Sequence, residues 1–308
     1  MTAFERYIAS GGRHTGLWRL LAGVIVIAVM WFAGATGVLF AFTAYAAAIS
    51  GNSDLAPERL GAVMTGGGPE VVGVLLLTFA GIWAGVYLAV TLLHRQRFAT
   101  LFAPERRVRL AELGKGMLVA AAFALGSTAV GLTVAAPAVT VLPLSLWLVF
   151  LLPLVALIFL QATAEELIFR GYLLQQLALR SRNPLVWAVL PSAVFGAMHW
   201  AGDLPGEASA YYIMTTFLMG LALAALVWRT GSLWAAVGVH VGFNAIGLTV
   251  VGAEGVLSGA QLFLFAEDDL LALMRIDLAA TAALLAFVLS PWAPFGPPDH
   301  PPGRPAEA

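Results

Sequence analysis

The sequence predicts an all-α protein, a polytopic transmembrane helical bundle of about eight spans. Three observations carry this. Of 308 residues, 60% are hydrophobic and only 11% are charged, whereas soluble globular domains carry about 25% charged residues. Mean hydropathy is +0.89. Apolar runs of about the 20 residues a spanning helix needs recur along the chain, and the connections between them alternate in charge.

The candidate spans lie at roughly 18–48, 70–93, 115–136, 143–180, 185–201, 210–228, 232–251 and 271–290. The first follows a polar, basic stretch with Arg6, Arg13 and Arg19. It is too long for a signal-peptide core and no clear small-residue cleavage site follows, so it reads as a retained span. Ser50–Pro69, with Gly66, Gly67 and Gly68 before Pro69, reads as a flexible outer loop. The loop from His94 to Leu113 alternates basic and apolar residues, which fits either a helix on the inner membrane surface or a solvated connection. The fourth candidate is long, and Pro153 is placed to kink it by removing a hydrogen bond. The fifth is short, with Pro184 suited to a helix start. From Pro291 onward the chain reads as a disordered, proline-rich tail.

Positive residues collect at the N-terminus, in the loop with Arg95, Arg97, Arg106, Arg107 and Arg109, at Arg180 and Arg182, at Arg229 and at Arg304. The alternate loops carry Asp54, Glu58, Glu70, Asp203, Glu207, Glu254, Glu267, Asp268 and Asp269. The positive-inside rule then places both termini in the cytoplasm. A net charge of -1, without a long basic tract, argues against a nucleic-acid partner. The absence of cysteine excludes disulfides, thiolate metal sites and a cysteine nucleophile.

Ionisable residues inside spans are costly and therefore point to function. Ala164-Glu165-Glu166-Leu167-Ile168-Phe169-Arg170-Gly171 places two carboxylates and a guanidinium within the fourth span. Glu166 and Arg170, four apart, share a helix face as an ion pair. Glu165 lies about 100° further round and can point elsewhere. Two further polar clusters fall in the C-terminal half: Phe195 with His199 on the fifth span, and His240 with Asn244, again four apart, on the seventh. At 1.5 Å rise per residue, Glu165 lies about 22 Å from Arg180, His199 about 22 Å from Pro184 and His240 about 17 Å from Arg229. These heights agree within about one helical turn, provided that the fourth span stays helical to Arg180. The small residues Gly220, Gly238 and Gly242 read as positions of close helix approach.

A carboxylate, two imidazoles and a carboxamide suit the activation of water. Glu165 is the candidate general base. His199 and His240 are candidate ligands for zinc or another divalent metal with a position left open for water. Alternatively, His and Asn donate hydrogen bonds to the oxyanion of a tetrahedral intermediate in a metal-free mechanism. Either route hydrolyses an amide.

Glu165-Glu166-x-x-x-Arg170, Phe195-x-x-x-His199 and His240-x-x-x-Asn244, in that order on successive apolar helices, resemble the CAAX prenyl protease and bacteriocin-processing enzyme family. These are Abi-type intramembrane endopeptidases usually described as metalloproteases. The resemblance covers about residues 140–250. It implies that Glu165 activates water and that Glu166, His199, His240 and Asn244 complete the catalytic set. It further implies that Arg170 and Phe195 support that set, and that His199 and His240 are the metal ligands if a metal is used.

The expected organisation is therefore N-terminal spans over 1–137, a catalytic core over 138–290 and a tail over 291–308. The expected activity is cleavage of a membrane-associated peptide or protein from a site reached from the cytoplasmic side of a bacterial cell membrane. The alternative is a non-catalytic scaffold or solute carrier using the same polar cluster. A carrier predicts broken helices on both sides of the midplane.

Overall fold

The computed structural model describes residues 1–296 except 13, 51–60, 62–66, 136, 141, 203, 205, 255 and 256. Nine helices follow one another among the described residues: α1 Ala3–Ala9, α2 Leu17–Ser50, α3 Pro69–Leu93, α4 Leu110–Gly131, α5 Leu144–Ala178, α6 Leu185–Ala197, α7 Gly206–Thr230, α8 Trp234–Thr249 and α9 Leu270–Leu289. Six of them, α2, α3, α4, α5, α7 and the segment containing α9, are long and apolar enough to cross a membrane. The other two apolar helices, α6 and α8, are shorter than a full span. All eight expected segments are helical, but the two carrying the histidine motifs are truncated.

Proline and widened helical turns shape the bundle around the motifs. Pro153 sits inside α5. Immediately after Glu166, α5 widens into a π-helical segment, Leu167–Leu173, before returning to α-helix at Leu174. The fourth span therefore remains helical past Gly171, as the height argument required. The π turn shifts the phase of everything that follows, a feature often found at functional sites. The start of α6 is also π-helical, Leu185–Val189, just ahead of Pro191. Pro191 has no N–H to return to the preceding turn.

Helices α4 and α8 lie backbone to backbone. A β-carbon added to Gly238 would stand 2.2 Å from the carbonyl oxygen of Leu113. Only glycine allows this approach, which holds α8 rigidly against α4 and presents its opposite face to α5.

The amino-terminal helix α1 begins with a capping box. The Thr2 hydroxyl accepts from the Glu5 amide at 3.0 Å, and the Glu5 carboxylate accepts from the Thr2 amide at 2.9 Å. This fixes the helix so that Phe4 and Tyr7 are buried. The Tyr7 hydroxyl lies 2.8 Å from the Leu101 carbonyl oxygen and 3.0 Å from that of Arg170, so its single proton serves two acceptors, one of them freed by the π turn.

The loop after α3 is not a surface helix. It holds a short 3-10 turn, Phe98–Leu101, and folds inward, burying His94, Gln96, Leu101 and Ala103. His94 bridges the carbonyl oxygen of His14 at 2.8 Å and the hydroxyl of Tyr172 at 2.9 Å.

At the opposite end of the bundle, three short strands cap the helices: β1 Pro137–Thr140, β2 Val251–Ala253 and β3 Phe263–Phe265, in the order β1-β3-β2. β1 pairs antiparallel and β2 parallel with β3. The sheet links the connection between α4 and α5 to the one between α8 and α9.

The start of the proposed tail is folded rather than disordered. Arg229 donates to the carbonyl oxygens of Val288, Ser290, Phe295 and Gly296 at 2.7–3.1 Å, and Ala293 and Phe295 are buried. Four carbonyls satisfied by one guanidinium explain why this stretch folds back despite its prolines. Residues 297–308 and most of the Ser50–Pro69 loop lie outside the described residues.

Candidate active site

The site is built where α5 and α8 run antiparallel. Gln161 and Glu165, one turn apart on α5, face Asn244 and His240, one turn apart on α8. The Asn244 side-chain nitrogen donates to Gln161 Oε1 at 2.9 Å. His240 Nε2 lies 3.4 Å from Glu165 Oε2. The other ring nitrogen, Nδ1, lies 2.8 Å from Glu166 Oε1, so the imidazole is held between two carboxylates. Glu166 Oε1 also accepts from Arg170 at 3.0 Å. Glu166, Arg170, His240 and Glu165 are only 0–8% exposed. Ionisable groups inside an apolar bundle pair with one another, and here the two carboxylates, the guanidinium and the imidazole do so.

Glu166 therefore has a role the spacing did not predict. It pairs with Arg170 as expected and also fixes the His240 ring. Glu165 is turned differently. Its Oε2 is buried without a hydrogen-bond partner among the described residues, and 3.4 Å is long for a direct bond to the imidazole. Arg170 is held by more than charge. It stands 4.6 Å over the Phe195 ring, a cation–π contact. A β-carbon on Gly220 would lie 3.0 Å from its guanidinium, so Gly220 makes room for it.

His199 is placed differently from the expectation. It follows the last helical residue of α6, Ala197, and is half-buried in the turn beyond it. Its Nδ1 lies 2.7 Å from the Phe195 carbonyl oxygen, which makes Nδ1 the protonated nitrogen and turns Nε2 outward from its own helix. The Phe195 ring separates it from His240, edge-on to both, with centroids 4.6 Å from His199 and 6.1 Å from His240. Phe195 is thus the spacer between the two imidazoles. The structure brings Glu165, Glu166, Arg170 and His240 into direct contact, sets Asn244 one turn along through Gln161, and places His199 across Phe195.

Residues 145–246 match the family model for type II CAAX prenyl endopeptidase, Rce1-like. This segment is Rce1-like. It contains every motif residue, from Glu165 to Asn244, and the match suggests CAAX-type intramembrane protease activity. The chain is also 24% identical over 252 residues to the uncharacterized protein YyaK of Bacillus subtilis (strain 168), covering 79% of this chain and 80% of that one. No solved structure matches.

Sequence reasoning missed two residues of the Rce1-like segment. Gln161 was legible, since it precedes Glu165 by one helical turn. Tyr212 was not. It lies on α7, outside any motif, with its ring 5.6 Å from His199 and nearly perpendicular to it.

The donor set does not fit a three-ligand zinc site. Both nitrogens of His240 face carboxylates, Nδ1 of His199 faces its own helix, and among the described residues no group of three His, Asp or Glu converges as metal ligands.

A cavity of about 330 Å³ reaches Asn244 and Tyr212. It lies at the end of the bundle capped by the strands, away from α1, with Val251, Gly252 and Phe265 in its wall.

Proposed function

We propose that this protein is an intramembrane endopeptidase that hydrolyses a peptide bond of a membrane-associated peptide or protein. The observation that carries the reading is the unpartnered Glu165 Oε2 facing a His240 ring that Glu166 already holds from the other side. A water bound beside Glu165, at the flank of the His240 ring, gives a proton to the Glu165 carboxylate as its oxygen bonds to the scissile carbonyl carbon. The oxyanion that forms accepts a hydrogen bond from the Asn244 amide, which keeps one N–H beyond the one given to Gln161. The C–N bond then breaks, and the proton held by Glu165 passes to the leaving amine. Glu166 and Arg170 act through His240: they position its ring and hold its Nδ1 proton. His199 faces the same region from across Phe195, beside Tyr212, and contacts the substrate.

Both termini lie in the cytoplasm of a bacterial cell membrane in this reading. The cavity, at the strand-capped end, then opens toward the outer half of the bilayer. It is therefore the route of substrate entry, in place of the cytoplasmic approach expected from sequence. The test is cleavage of a membrane-inserted peptide library by the purified chain in proteoliposomes, read by mass spectrometry, beside Glu165→Gln and His240→Ala. Both variants should remain folded and lose cleavage. A scaffold role would leave its biological readout intact in both.

A further inference from the structure

From the cavity beside Asn244, we infer that this chain selects substrate segments carrying a basic side chain among apolar residues, and that Asp277 is the residue that recognises it. This rests on the protease reading and names the substrate class of the same site. Asp277 lies near the middle of the apolar segment Glu267–Leu289 and lines the cavity. The residue is exposed, and its side chain hydrogen-bonds Ser127. The rest of the wall is largely apolar, with Met219, Phe243 and Leu273 among its residues, and offers only a few hydroxyls, including those of Ser127 and Thr281.

A carboxylate in such a place needs a cation or a proton. Among the described residues no Lys, Arg or His forms an ion pair with Asp277. Arg275, two residues earlier on the same helix, is engaged with Glu207 at 2.9 Å. Ser127 supplies a hydrogen bond but no charge, so an entering cation takes the place that a proton otherwise holds. A Lys or Arg side chain suits the cavity in both its parts, because its methylene stem lies along apolar walls while its head seeks the polar group. The space also joins the chemistry directly, since Asn244 and Tyr212 line it and both stand beside the residues assigned to the reaction. A cavity of about 330 Å³ admits a few side chains of an extended segment, not a folded domain.

The experiment uses the full chain in proteoliposomes with paired membrane-inserted peptides that carry either Lys or norleucine, of similar shape and no charge, at each position flanking the cut. Binding of the same pairs is measured to the Glu165→Gln variant. The wild-type chain should cleave, and Glu165→Gln should bind, the Lys peptide at one position preferentially, by about tenfold or more for a charge-assisted contact. Asp277→Asn should bring that ratio toward one, Asp277→Glu should retain it, and Asp277→Lys should reverse it toward a Glu-bearing peptide. Thermal unfolding of each variant reports its folding. If Asp277→Asn cleaves or binds the pairs with the wild-type ratio, or if the wild type shows no preference, the inference is overturned while the protease reading stands. If Asp277-dependent preference appears in binding but no peptide is cleaved, the protease reading fails and the recognition role survives.

Discussion

Replacing Arg170 by Met tests whether the buried charge network is the support on which His240 rests. Arg170 and Glu166 are 3.0 Å apart and their side chains are 2% and 0% exposed. Coulomb's law at that separation, with an effective dielectric near 20, gives roughly 5 kcal/mol. That agrees with the about 3–5 kcal/mol lost when one member of a buried pair is removed and the other is left uncompensated. Arg170→Met should therefore lower unfolding free energy by about 3–5 kcal/mol, measured by reversible unfolding in mixed micelles. Glu166→Gln alone strands the guanidinium instead, and also removes the carboxylate facing His240 Nδ1. The double variant Glu166→Gln/Arg170→Met leaves neither charge alone, so its loss should be smaller than the sum of the two single losses, with a coupling of at least about 1 kcal/mol. A loss below about 1 kcal/mol for Arg170→Met, or strict additivity in the double variant, would refute the idea that these two groups stabilise one another inside the bundle.

Three further outcomes follow from the geometry. Gly238→Val should weaken the α4–α8 contact by about 1–3 kcal/mol or prevent folding, because even its β-carbon meets the Leu113 carbonyl at 2.2 Å; unfolding in mixed micelles unchanged from wild type would contradict this. Burial, reinforced by Arg180 and Arg19, lowers the pKa of His94 from its ordinary value of 6.5. Below that value the unfolded chain binds a proton that the folded chain resists, so this contribution to stability is present above pH 6.5 and is lost as pH falls. His94→Gln should flatten the corresponding slope of unfolding free energy against pH, and an unchanged slope would count against it. Since the chain has no cysteine, Asn183→Cys and Glu254→Cys can each be labelled alone; an impermeant thiol reagent added outside intact cells should modify Glu254→Cys and spare Asn183→Cys, and the reverse pattern would overturn the assigned orientation.

Much of the site could be read from the chain because its signals are local. Glu166 with Arg170 and His240 with Asn244 are each one helical turn apart, so spacing alone puts them on shared faces. Their presence within apolar runs marks them as unusual. What could not be read depends on packing between distant segments. The contact of Glu166 with His240 joins residues 74 apart in sequence, and that of Tyr7 with the Arg170 carbonyl joins residues 163 apart. Tyr212 enters only because α7 passes beside His199. The end of α6 was misplaced because apolar composition continues past Ala197 while the helix does not, leaving His199 in a turn. Arg229, read as a topological marker, instead organises the chain after α9. A guanidinium that binds four carbonyls leaves no trace in hydropathy.

The most direct measurement of the central claim is single-turnover cleavage of one identified membrane peptide by the wild-type chain and by Glu165→Gln, in the same proteoliposomes and with matched unfolding curves. Loss of a general base at the water should slow the reaction by about 10²–10⁴-fold with peptide binding retained. Cleavage at the wild-type rate by folded Glu165→Gln protein would show that this carboxylate does not take the proton.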